Sequence, residues 1–427
     1  MHMETCTVAN WGNYPVTTAE IATPDTFAEA RDYLLARDRL LARGNGRCYG
    51  DAALGPHLLS TLALHRLLDF DAGTGIVHCE SGLLLADLLR TTIPAGWFLQ
   101  VTPGIKSITV GGAIASDVHG KNHPTKGCWS NWLISFELLL AEGQVSTCSR
   151  TENADLFWQT CGGMGWTGIV LTARFQLMRI ASTQMHQTTR RLSSFELLFQ
   201  EMSSHTDYPY AAAWVDTTDR NGRGVAFFAE HLLERTSGDP LVFTEKSPRN
   251  VPFFAPAWLL NPLSMRVYNE LYFRKNKSGQ RLVDFDQYFY PLDSLGHWNR
   301  LYGRRGFIQY QFCVPEACAF DGLLRALALI RRSPDQAFLT VLKRHGERPP
   351  EAVHSFPLSG YSLALDFPRT RTIFRLVQQL DDLVAELGGR IYLAKDACSA
   401  ARMSGILPGT FGAEKFYSLL KKRLLQT

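Results

Sequence analysis

The sequence predicts an α+β protein with more than one domain, and three observations support this prediction. The chain has 427 residues, which is long for a single hydrophobic core. Up to about residue 180, short strand-like runs and helical patterns alternate between glycine turns. From residue 184 to 390 the pattern changes to strand-like runs with two long helical patterns, which predicts one antiparallel sheet backed by helices.

In the first part of the chain, four elements are well marked. Residues 24–43 begin as an amphipathic helix that starts near Pro24, and they end in a buried strand. A second helix is predicted over residues 83–92. Residues 133–148 alternate between apolar and polar positions around Gly143, which predicts a β-hairpin.

In the second part, strand-like runs and two helical patterns are predicted. Strands are predicted over residues 210–216, 224–231, 307–314 and 360–367, and helices over 316–332 and 370–388. Gly388 and Gly389 end the last helix, and a strand starts at Arg390.

Composition excludes some classes of protein. Hydrophobic residues make up 45% of the chain and charged residues 20%, as in ordinary globular proteins. The net charge of +4 arises without a long basic run, so we expect no nucleic-acid partner. The nine cysteines are odd in number, scattered and free of any C-x-x-C pair, which favours reduced thiols over a disulfide framework.

The sequence also bears on location. Its first residues lack the charged and apolar regions of a signal peptide, and no run approaches about 20 apolar residues. We therefore expect a cytoplasmic protein, or one that associates with the periphery of a membrane.

One segment, residues 251–264, is strongly apolar but broken by three prolines. The prolines argue against a regular helix, and the segment is too short to span a bilayer. Two interpretations remain open. The segment is either a buried loop that packs on the core, or a mobile apolar lip that contacts lipid or the apolar tail of a substrate.

A first candidate binding loop, residues 43–51, directly follows a predicted strand. It reads Arg-Gly-Asn-Gly-Arg-Cys-Tyr-Gly-Asp, with three glycines around two arginines. Glycines permit a tight turn whose amides donate to phosphate oxygens, and the arginines supply matching charge. Taken alone, the same pattern also fits an ordinary surface turn.

A second candidate loop, residues 103–123, is more informative. A glycine pair follows a β-branched run, and a cluster of titratable and amide side chains comes next: Gly111, Gly112, His119, Lys121, Asn122 and His123. Consecutive glycines have no Cβ to keep a flat anionic ligand away from the backbone. The cluster then places titratable groups beside that ligand.

His119 and His123 raise the question of a metal site, because two zinc ligands on a helix can have this spacing. Gly120 and Pro124 disfavour a helix here, and no third ligand is evident. We therefore expect no metal. His123 is expected to be structural, and His119 to lie beside the bound ligand.

Residues 161–170 contain Gly163, Gly165 and Gly168 in the spacing G-x-G-x-x-G. A dinucleotide-binding motif of this kind follows a strand, opens a helix and has an acid about 20 residues later. Here a predicted helix precedes the motif, a strand from Ile169 follows it, and no acid lies near residue 188. We therefore reject the Rossmann interpretation and expect a turn that lies against a cofactor.

Lys395 stands at the end of a predicted strand, next to Asp396. A surface ion pair is the ordinary explanation for such neighbours. In an oxidase, however, a lysine so placed stabilises negative charge on a reduced cofactor ring. It can also orient a substrate hydroxyl or take a proton from it.

Residues 307–312 alternate with period two, which places Gln309 and Gln311 on one face of a strand and Tyr310 on the other. Buried glutamines need hydrogen-bond partners, and sugar hydroxyls are suitable ones. An edge strand with its polar face in water explains the pattern equally well.

Together these segments resemble the vanillyl-alcohol-oxidase-type FAD enzymes and, among them, the decaprenylphosphoryl-ribose 2-oxidase family. The resemblance extends over most of the chain. The stretches shared with many FAD oxidases are residues 46–51, 110–123 and 162–169. Those more specific to the family are 290–293, 298–300, 309–312, 366–368 and 394–396.

The resemblance implies an FAD-binding domain in two parts and a substrate domain between them. The expected boundaries are 1–180 for the main FAD-binding part, 181–390 for the antiparallel-sheet substrate domain, and 391–427 for the C-terminal return to the FAD-binding domain. The residues expected to contact FAD are Gly44, Asn45, Gly46, Arg47, Cys48, Tyr49, Gly104, Gly111, Gly112, His119, Gly120, Asn122, Gly165, Gly168, Ile169, Tyr392 and Lys395. Some relatives attach flavin to a histidine where this chain has Cys48, so we expect non-covalent FAD.

The resemblance also implies roles in catalysis. Lys395 is the expected essential residue at the flavin, while His119 and Tyr49 hold the ring and the site geometry. The residues expected on the substrate side are Leu292, Gln309, Gln311, Lys343, Ser362 and Ala364. Relatives often carry asparagine and cysteine at the last two of these positions, so any behaviour that depends on that thiol is in doubt here.

The resulting hypothesis is FAD-dependent oxidation of a secondary hydroxyl on a lipid-linked sugar, from a 2-hydroxyl to a 2-ketone. By resemblance, a separate NAD(P)H-dependent short-chain reductase would complete an epimerisation, and residues 251–264 would serve the lipid-linked substrate by peripheral membrane contact. Two alternatives remain: a soluble sugar-alcohol or aldonolactone oxidase, and a flavin-bearing protein that binds lipid-linked sugar without turnover.

Overall fold

The computed structural model describes residues 1–234, 241–243, 248–256, 258–399 and 414–426. Within these ranges, helices pack on sheets of four, six and eight strands. The predicted α+β class is therefore confirmed.

The four-stranded sheet flanks the first candidate binding loop, which lies between its third and fourth strands in chain order. Its strands are β1 (His2–Ala9), β2 (Val16–Thr23), β3 (Leu41–Arg43) and β4 (His57–Ser60). They lie in the order β1-β2-β4-β3, with β4 parallel to both of its neighbours. Helix α1 (Phe27–Leu35) begins after Thr26 rather than near Pro24, because the Thr26 hydroxyl accepts a hydrogen bond from the Glu29 amide at 3.2 Å and caps the helix there.

The six-stranded sheet is antiparallel and supports the second candidate loop. Its strands are β5 (Leu67–Asp71), β6 (Ile76–Glu80), β7 (Trp97–Leu99), β8 (Leu133–Leu139), β9 (Val145–Ser149) and β10 (Ile169–Arg179). The helices in this region are α2 (Leu85–Thr92), α3 (Val110–Ala115), α4 (His123–Lys126) and α5 (Ala154–Thr160). The predicted second helix and hairpin are confirmed. The rejection of a Rossmann motif is also supported, since α5 precedes the glycines and β10 follows them.

The eight-stranded sheet is antiparallel throughout, as predicted. Its strands are β11 (Gln184–Leu192), β12 (Tyr210–Val215), β13 (Gly224–His231), β14 (Gly279–Asp284), β15 (Phe307–Pro315), β16 (Leu339–His345), β17 (Gly360–Pro368) and β18 (Arg390–Ile391). They lie in the order β14-β11-β13-β12-β16-β17-β15-β18. The remaining helices are α6 (Phe195–Ser204), α7 (Pro262–Lys275), α8 (Phe285–Phe289), α9 (Ala319–Arg332), α10 (Ile373–Glu386) and α11 (Leu419–Gln426).

Each face of β15 has a different environment. Tyr310 and Phe312 face a core shared with α9 and α10, and the Tyr310 hydroxyl donates to Asp381 at 2.9 Å. Gln309 and Gln311 lie on the opposite face and are also buried. The edge-strand alternative is therefore wrong, because β15 pairs with β17 on one side and β18 on the other, and its polar face has almost no exposure to solvent.

The apolar segment 251–264 differs from both sequence interpretations in part. Phe253 is 70% exposed, Trp258 72% and Leu263 71%, so the buried-loop interpretation is wrong. Helix α7 begins inside the segment at Pro262, where the Asn261 side chain accepts hydrogen bonds from two backbone amides and proline occupies the first turn. The prediction that the prolines exclude a regular helix is therefore wrong at the end of the segment, since proline is tolerated at the first position of a helix.

The division at residues 180 and 390 remains a proposal, which the chain order of the sheets supports. Strands β11 to β17 lie between those positions, while α11 returns to pack beside Leu41 and Leu58 of the first sheet. Within the described residues, no helix has the length and apolarity needed to cross a bilayer.

Candidate active site

A cavity of about 560 Å³ is lined by residues of all three sheets and their connecting loops. The loop after β3 forms one part of its wall, and the residues around α3 form another. The face of β15, β16 and β17 that carries Gln309 and Gln311 closes a third side. The cavity therefore brings the two candidate binding loops together with β15, β16 and β17. These three strands carry most of the residues expected on the substrate side and are called the substrate strands.

The loop after β3 is held in place by the residues that flank it. Arg43 donates to the carbonyl groups of Ala53, at 2.7 Å, and of Ala9, at 3.1 Å, so it braces the loop. The Asn45 amide donates to the Ser107 carbonyl at 2.7 Å and ties this loop to the second one. Arg47 lies over the Trp11 ring at 4.3 Å.

The second loop approaches the cavity through its glycines. Thr109 caps α3 by accepting from the Gly112 amide at 3.1 Å, and the Gly111 amide donates to the Ser81 carbonyl at 2.7 Å. A Cβ on Gly111 would lie 3.0 Å from Ser81, and a Cβ on Gly44 would collide with Thr109. A larger residue at Gly44 would therefore force the two loops apart, and one at Gly111 would push α3 away from the turn after β6.

These surroundings fit FAD. Arg47 Nε and Ser81 Oγ are buried without a hydrogen-bond partner among the described residues, and both residues line the cavity. A guanidinium and a hydroxyl left in this way suit phosphate oxygens. Gly44 and Gly111 also line the cavity with backbone that carries no side chain, which suits a flat ring or a diphosphate.

His119 lies in the middle of the cavity wall. Its Nε2 is 3.0 Å from the amide nitrogen of Gln311, which can only donate, so Nε2 accepts and the proton of the neutral ring sits on Nδ1. Burial, and then the positive charge of Lys343, holds the pKa of His119 well below its usual range. His119 is therefore a neutral donor at Nδ1, which has no partner among the described residues.

Lys395 and Asp366 form the most distinctive pair. Lys395 Nζ lies 3.7 Å from the centre of the Tyr49 ring, which is itself packed edge-on against Phe307. Asp366 is buried and accepts a hydrogen bond from the Gln309 amide. Burial lowers the pKa of Lys395 although Asp366 opposes it, and burial raises the pKa of Asp366 although Gln309 and Lys395 oppose it. The ordinary surface ion pair with Asp396 is not what the structure shows.

Cross-strand pairs show which side chains of the substrate strands share a face. Gln309 pairs with Asp366, Gln311 with Ala364, and Lys343 with Ser362 across neighbouring strands. Because side chains alternate along a strand, this register places Gln309, Gln311, Lys343 and Ala364 on one face, which lines the cavity.

Most residues named from the sequence line this cavity, and four do not. The residues along its wall are Gly44, Asn45, Gly46, Arg47, Cys48, Tyr49, Gly104, Gly111, Gly112, His119, Gly165, Gly168, Leu292, Gln309, Gln311, Lys343, Ala364, Tyr392 and Lys395. The residues with other surroundings are Gly120, Asn122, Ile169 and Ser362.

Each of those four residues has a structural reason for its position. The Asn122 amide donates to the Gln100 carbonyl, and a Cβ on Gly120 would lie 3.1 Å from the Thr102 carbonyl. Ile169 belongs to a hydrophobic core beside α1. The Ser362 hydroxyl lies 2.7 Å from His345 Nε2. Direct ligand contact by these residues has no support in the structure.

Sequence reasoning assigned no individual role in the site to two residues, Asp366 and Lys121. Asp366 belongs to the Asp-Phe-Pro stretch, but only the folded structure brings its charge close enough to Lys395 to act on the pKa of that lysine. Lys121 stands in the second loop and lines the cavity, where its ammonium donates to the Tyr288 carbonyl and lies 4.0 Å from the Tyr288 ring centre. The sequence signal that could have identified Lys121 was its position between His119 and His123.

Comparisons with known proteins agree with this site. A family model described as an FAD-binding domain matches residues 15–149. The decaprenylphosphoryl-β-D-ribose oxidase of Mycolicibacterium smegmatis is 34% identical over 410 residues, which cover 92% of this chain and 89% of that protein. The L-gulonolactone oxidase of Bos taurus is 29% identical over 190 residues, 43% of this chain and 42% of that protein.

The fold, the cavity and these matches define an FAD-dependent oxidoreductase that acts on alcohol groups. The similarity to the mycobacterial protein covers nearly the whole of both chains and includes the residues of the substrate strands. The chain belongs to the decaprenylphosphoryl-β-D-ribose oxidase family.

Proposed function

We propose that this protein oxidises the 2-hydroxyl of a decaprenylphosphoryl-ribose-like sugar to a 2-ketone. This would be the first half of an epimerisation that a separate NAD(P)H-dependent short-chain reductase completes. The observation that supports it best is Lys395 on the wall of a cavity that fits FAD, with the charge of the buried Asp366 close enough to act on it, in a chain of this family.

Lys395 is the proposed catalytic residue. Its pKa is lowered by burial, so the neutral amine is accessible and can accept the proton of the sugar hydroxyl. When bound, FAD supplies the acceptor for the hydride that leaves the carbinol carbon. The ammonium formed on Lys395 is stabilised by Asp366 and leaves a positive charge beside the cofactor site.

Tyr49 and His119 hold the site rather than move protons. The Tyr49 ring, packed on Phe307, sets the position of the Lys395 ammonium. His119 stays neutral and offers its Nδ1 proton to a bound ligand. Neither residue needs to change its protonation state in this proposal.

The remaining assignments divide between FAD and sugar. The glycine loops with Arg47 hold FAD without a covalent bond, and the Cys48 thiol stays free. Gln311, Leu292 and Ala364 face the sugar from the substrate strands and the loop after α8. Gln309 positions Asp366 through its amide and lies on the same face.

The test of this function is anaerobic mixing of the purified protein with polyprenyl-phosphoryl ribose, followed by flavin absorbance. We expect a yellow protein that releases its flavin on acid precipitation, and rapid bleaching on mixing. A protein that cannot take up FAD would refute the whole assignment. Bleaching by free alditols or aldonolactones but not by the lipid-linked sugar would favour a soluble oxidase instead.

Contact with a membrane surface is a further part of the proposal. Phe253, Trp258 and Leu263 are exposed, and Arg300 and Arg304 lie 5.8 and 5.7 Å from the Phe254 ring. Apolar side chains mixed with cationic ones suit the surface of an anionic bilayer. Tyr268 and Tyr272 of the adjoining helix α7 line the cavity, so a lipid tail held in the bilayer would lie beside the site.

We expect the double variant Phe253→Ser, Trp258→Ser to bind anionic phosphatidylglycerol vesicles about tenfold or more weakly than the wild type, because two exposed apolar side chains are lost. Vesicle flotation measures this. The matched control is Val145→Ser, Leu197→Ser, which removes two exposed apolar side chains elsewhere. Equal flotation of wild type and both variants would refute the membrane contact.

A further inference from the structure

The charges along the cavity wall are strongly one-sided. Among its described lining residues, Arg47, Lys121, Lys343 and Lys395 are cationic, and none is aspartate or glutamate. Arg47 lies in the glycine loop proposed for FAD, and Lys395 lies beside Asp366 and the Tyr49 ring. Two lysines therefore remain without an assigned anion.

These two lysines converge from distant parts of the chain. Lys121 comes from the loop after α3, and Lys343 from the middle of β16. Within the described part of the chain, Lys121 is held only by a neutral carbonyl and the rings of Tyr288 and Phe289, and Lys343 makes no hydrogen bond or ion pair. Both side chains face the same cavity.

A lysine ammonium with no anionic partner in a poorly solvated cavity is costly, and the pKa of each of the two lysines is lowered accordingly. Burial lowers the pKa of Lys343 to about 8. Burial, and then the charge of Lys343, lowers the pKa of Lys121 to about 7. An anion between the two ammonium groups would stabilise both protonated forms, since opposite charges in a poorly solvated site attract strongly.

The geometry points to Lys121 and Lys343 as an anion subsite that takes the phosphate of the lipid-linked sugar. This inference rests on the proposed function, because it assigns one part of the same substrate. In a glycosyl phosphate, only C1 and the glycosidic oxygen separate the phosphorus from C2. A phosphate held at Lys343 would therefore keep the 2-hydroxyl near Lys395, and Lys343 lies close enough to Lys395 to lower its pKa.

The subsite can be tested without turnover. FAD-loaded protein is titrated with farnesyl phosphate and with uncharged farnesyl methyl ether, and binding is followed by calorimetry. Neither ligand carries a sugar hydroxyl, so a failure of the proposed oxidation would leave this measurement intact. We expect Lys343→Gln to weaken farnesyl phosphate binding about 10- to 100-fold and to leave the ether unchanged, since one charge-assisted contact is lost.

Three further variants and a third ligand decide the result. Arg344→Gln removes a cation from the next position of β16, where Arg344 is partly exposed and lies 3.5 Å from Glu316, and it should bind both ligands like the wild type. Lys343→Arg, which keeps the charge, should retain most of the phosphate preference, and Lys121→Gln should lose part of it. Inorganic phosphate, as a third ligand, separates a subsite for free phosphate from one that needs the lipid.

Two outcomes would overturn the subsite. One is an unchanged ratio of farnesyl phosphate to ether affinity in Lys343→Gln. The other is loss of FAD from Lys343→Gln while Arg344→Gln retains it, because Lys343 would then serve the cofactor rather than the substrate phosphate.

Discussion

Replacing Lys395 with methionine is expected to lower the rate constant for flavin reduction by polyprenyl-phosphoryl ribose about 10²- to 10⁴-fold, the range that a positioned proton acceptor contributes. Methionine keeps the length of the side chain but can neither take a proton nor carry charge. Stopped-flow absorbance under anaerobic conditions measures the rate. FAD content and thermal stability should stay close to those of the wild type, because Lys395 Nζ lies over the Tyr49 ring and makes no hydrogen bond or ion pair with another described residue.

Lys395→Arg separates the two roles assigned to this residue. Arginine keeps the positive charge but does not release its proton in the accessible pH range. We therefore expect slow flavin reduction in this variant as well. An arginine variant nearly as fast as the wild type would refute proton transfer to Lys395 and leave only an electrostatic role.

The pH dependence of flavin reduction is expected to follow from the protonation of Lys395. A lysine accepts a proton only when neutral, so the wild-type rate of flavin reduction should rise with pH and level off above the pKa of Lys395. Burial places that pKa below the usual lysine range, so the plateau should come at lower pH than an exposed lysine would give. Lys395→Arg should lack this rise.

Replacing Arg423 with methionine is expected to lower the free energy of unfolding by about 3 kcal/mol, because two buried carboxylates lose their shared partner. Arg423 donates to Asp51 at 2.8 and 3.0 Å and to Asp396 at 2.8 Å. Both aspartates are almost fully buried. Urea unfolding of the FAD-loaded protein measures the change.

The neighbouring exposed residue Lys422 provides the matched control. Lys422→Met removes a cation from the same helix, α11, and should change the free energy of unfolding by less than about 1 kcal/mol. Arg423→Met should also release FAD more readily, since Asp51 lies two residues after Tyr49 and Asp396 directly follows Lys395. Equal stability of the two variants would show that the bonds from Arg423 of α11 to Asp51 and Asp396 do not stabilise the fold.

The sequence predicted local elements well where one signal dominated. The hairpin around Gly143 and the helices α9 and α10 follow directly from alternation and helical periodicity, and the structure confirms them. Helix α7 was missed because three prolines in residues 251–264 were treated as breakers, although Pro262 occupies the first helical turn. The exposure of Phe253 and Trp258 was left open, because an apolar run does not show which surface lies opposite it.

What the sequence by itself determined is the class of protein and the loops that serve its cofactor. Short motifs encode those loops, since glycine conformation and the charge of Arg47 are local properties. Only the tertiary structure placed Asp366 near Lys395, set Lys121 and Lys343 on one cavity, and turned Asn122 and Ser362 to structural contacts. These relations depend on strand register and on contacts between residues far apart in the chain, and no local pattern of residues specifies which of them will meet.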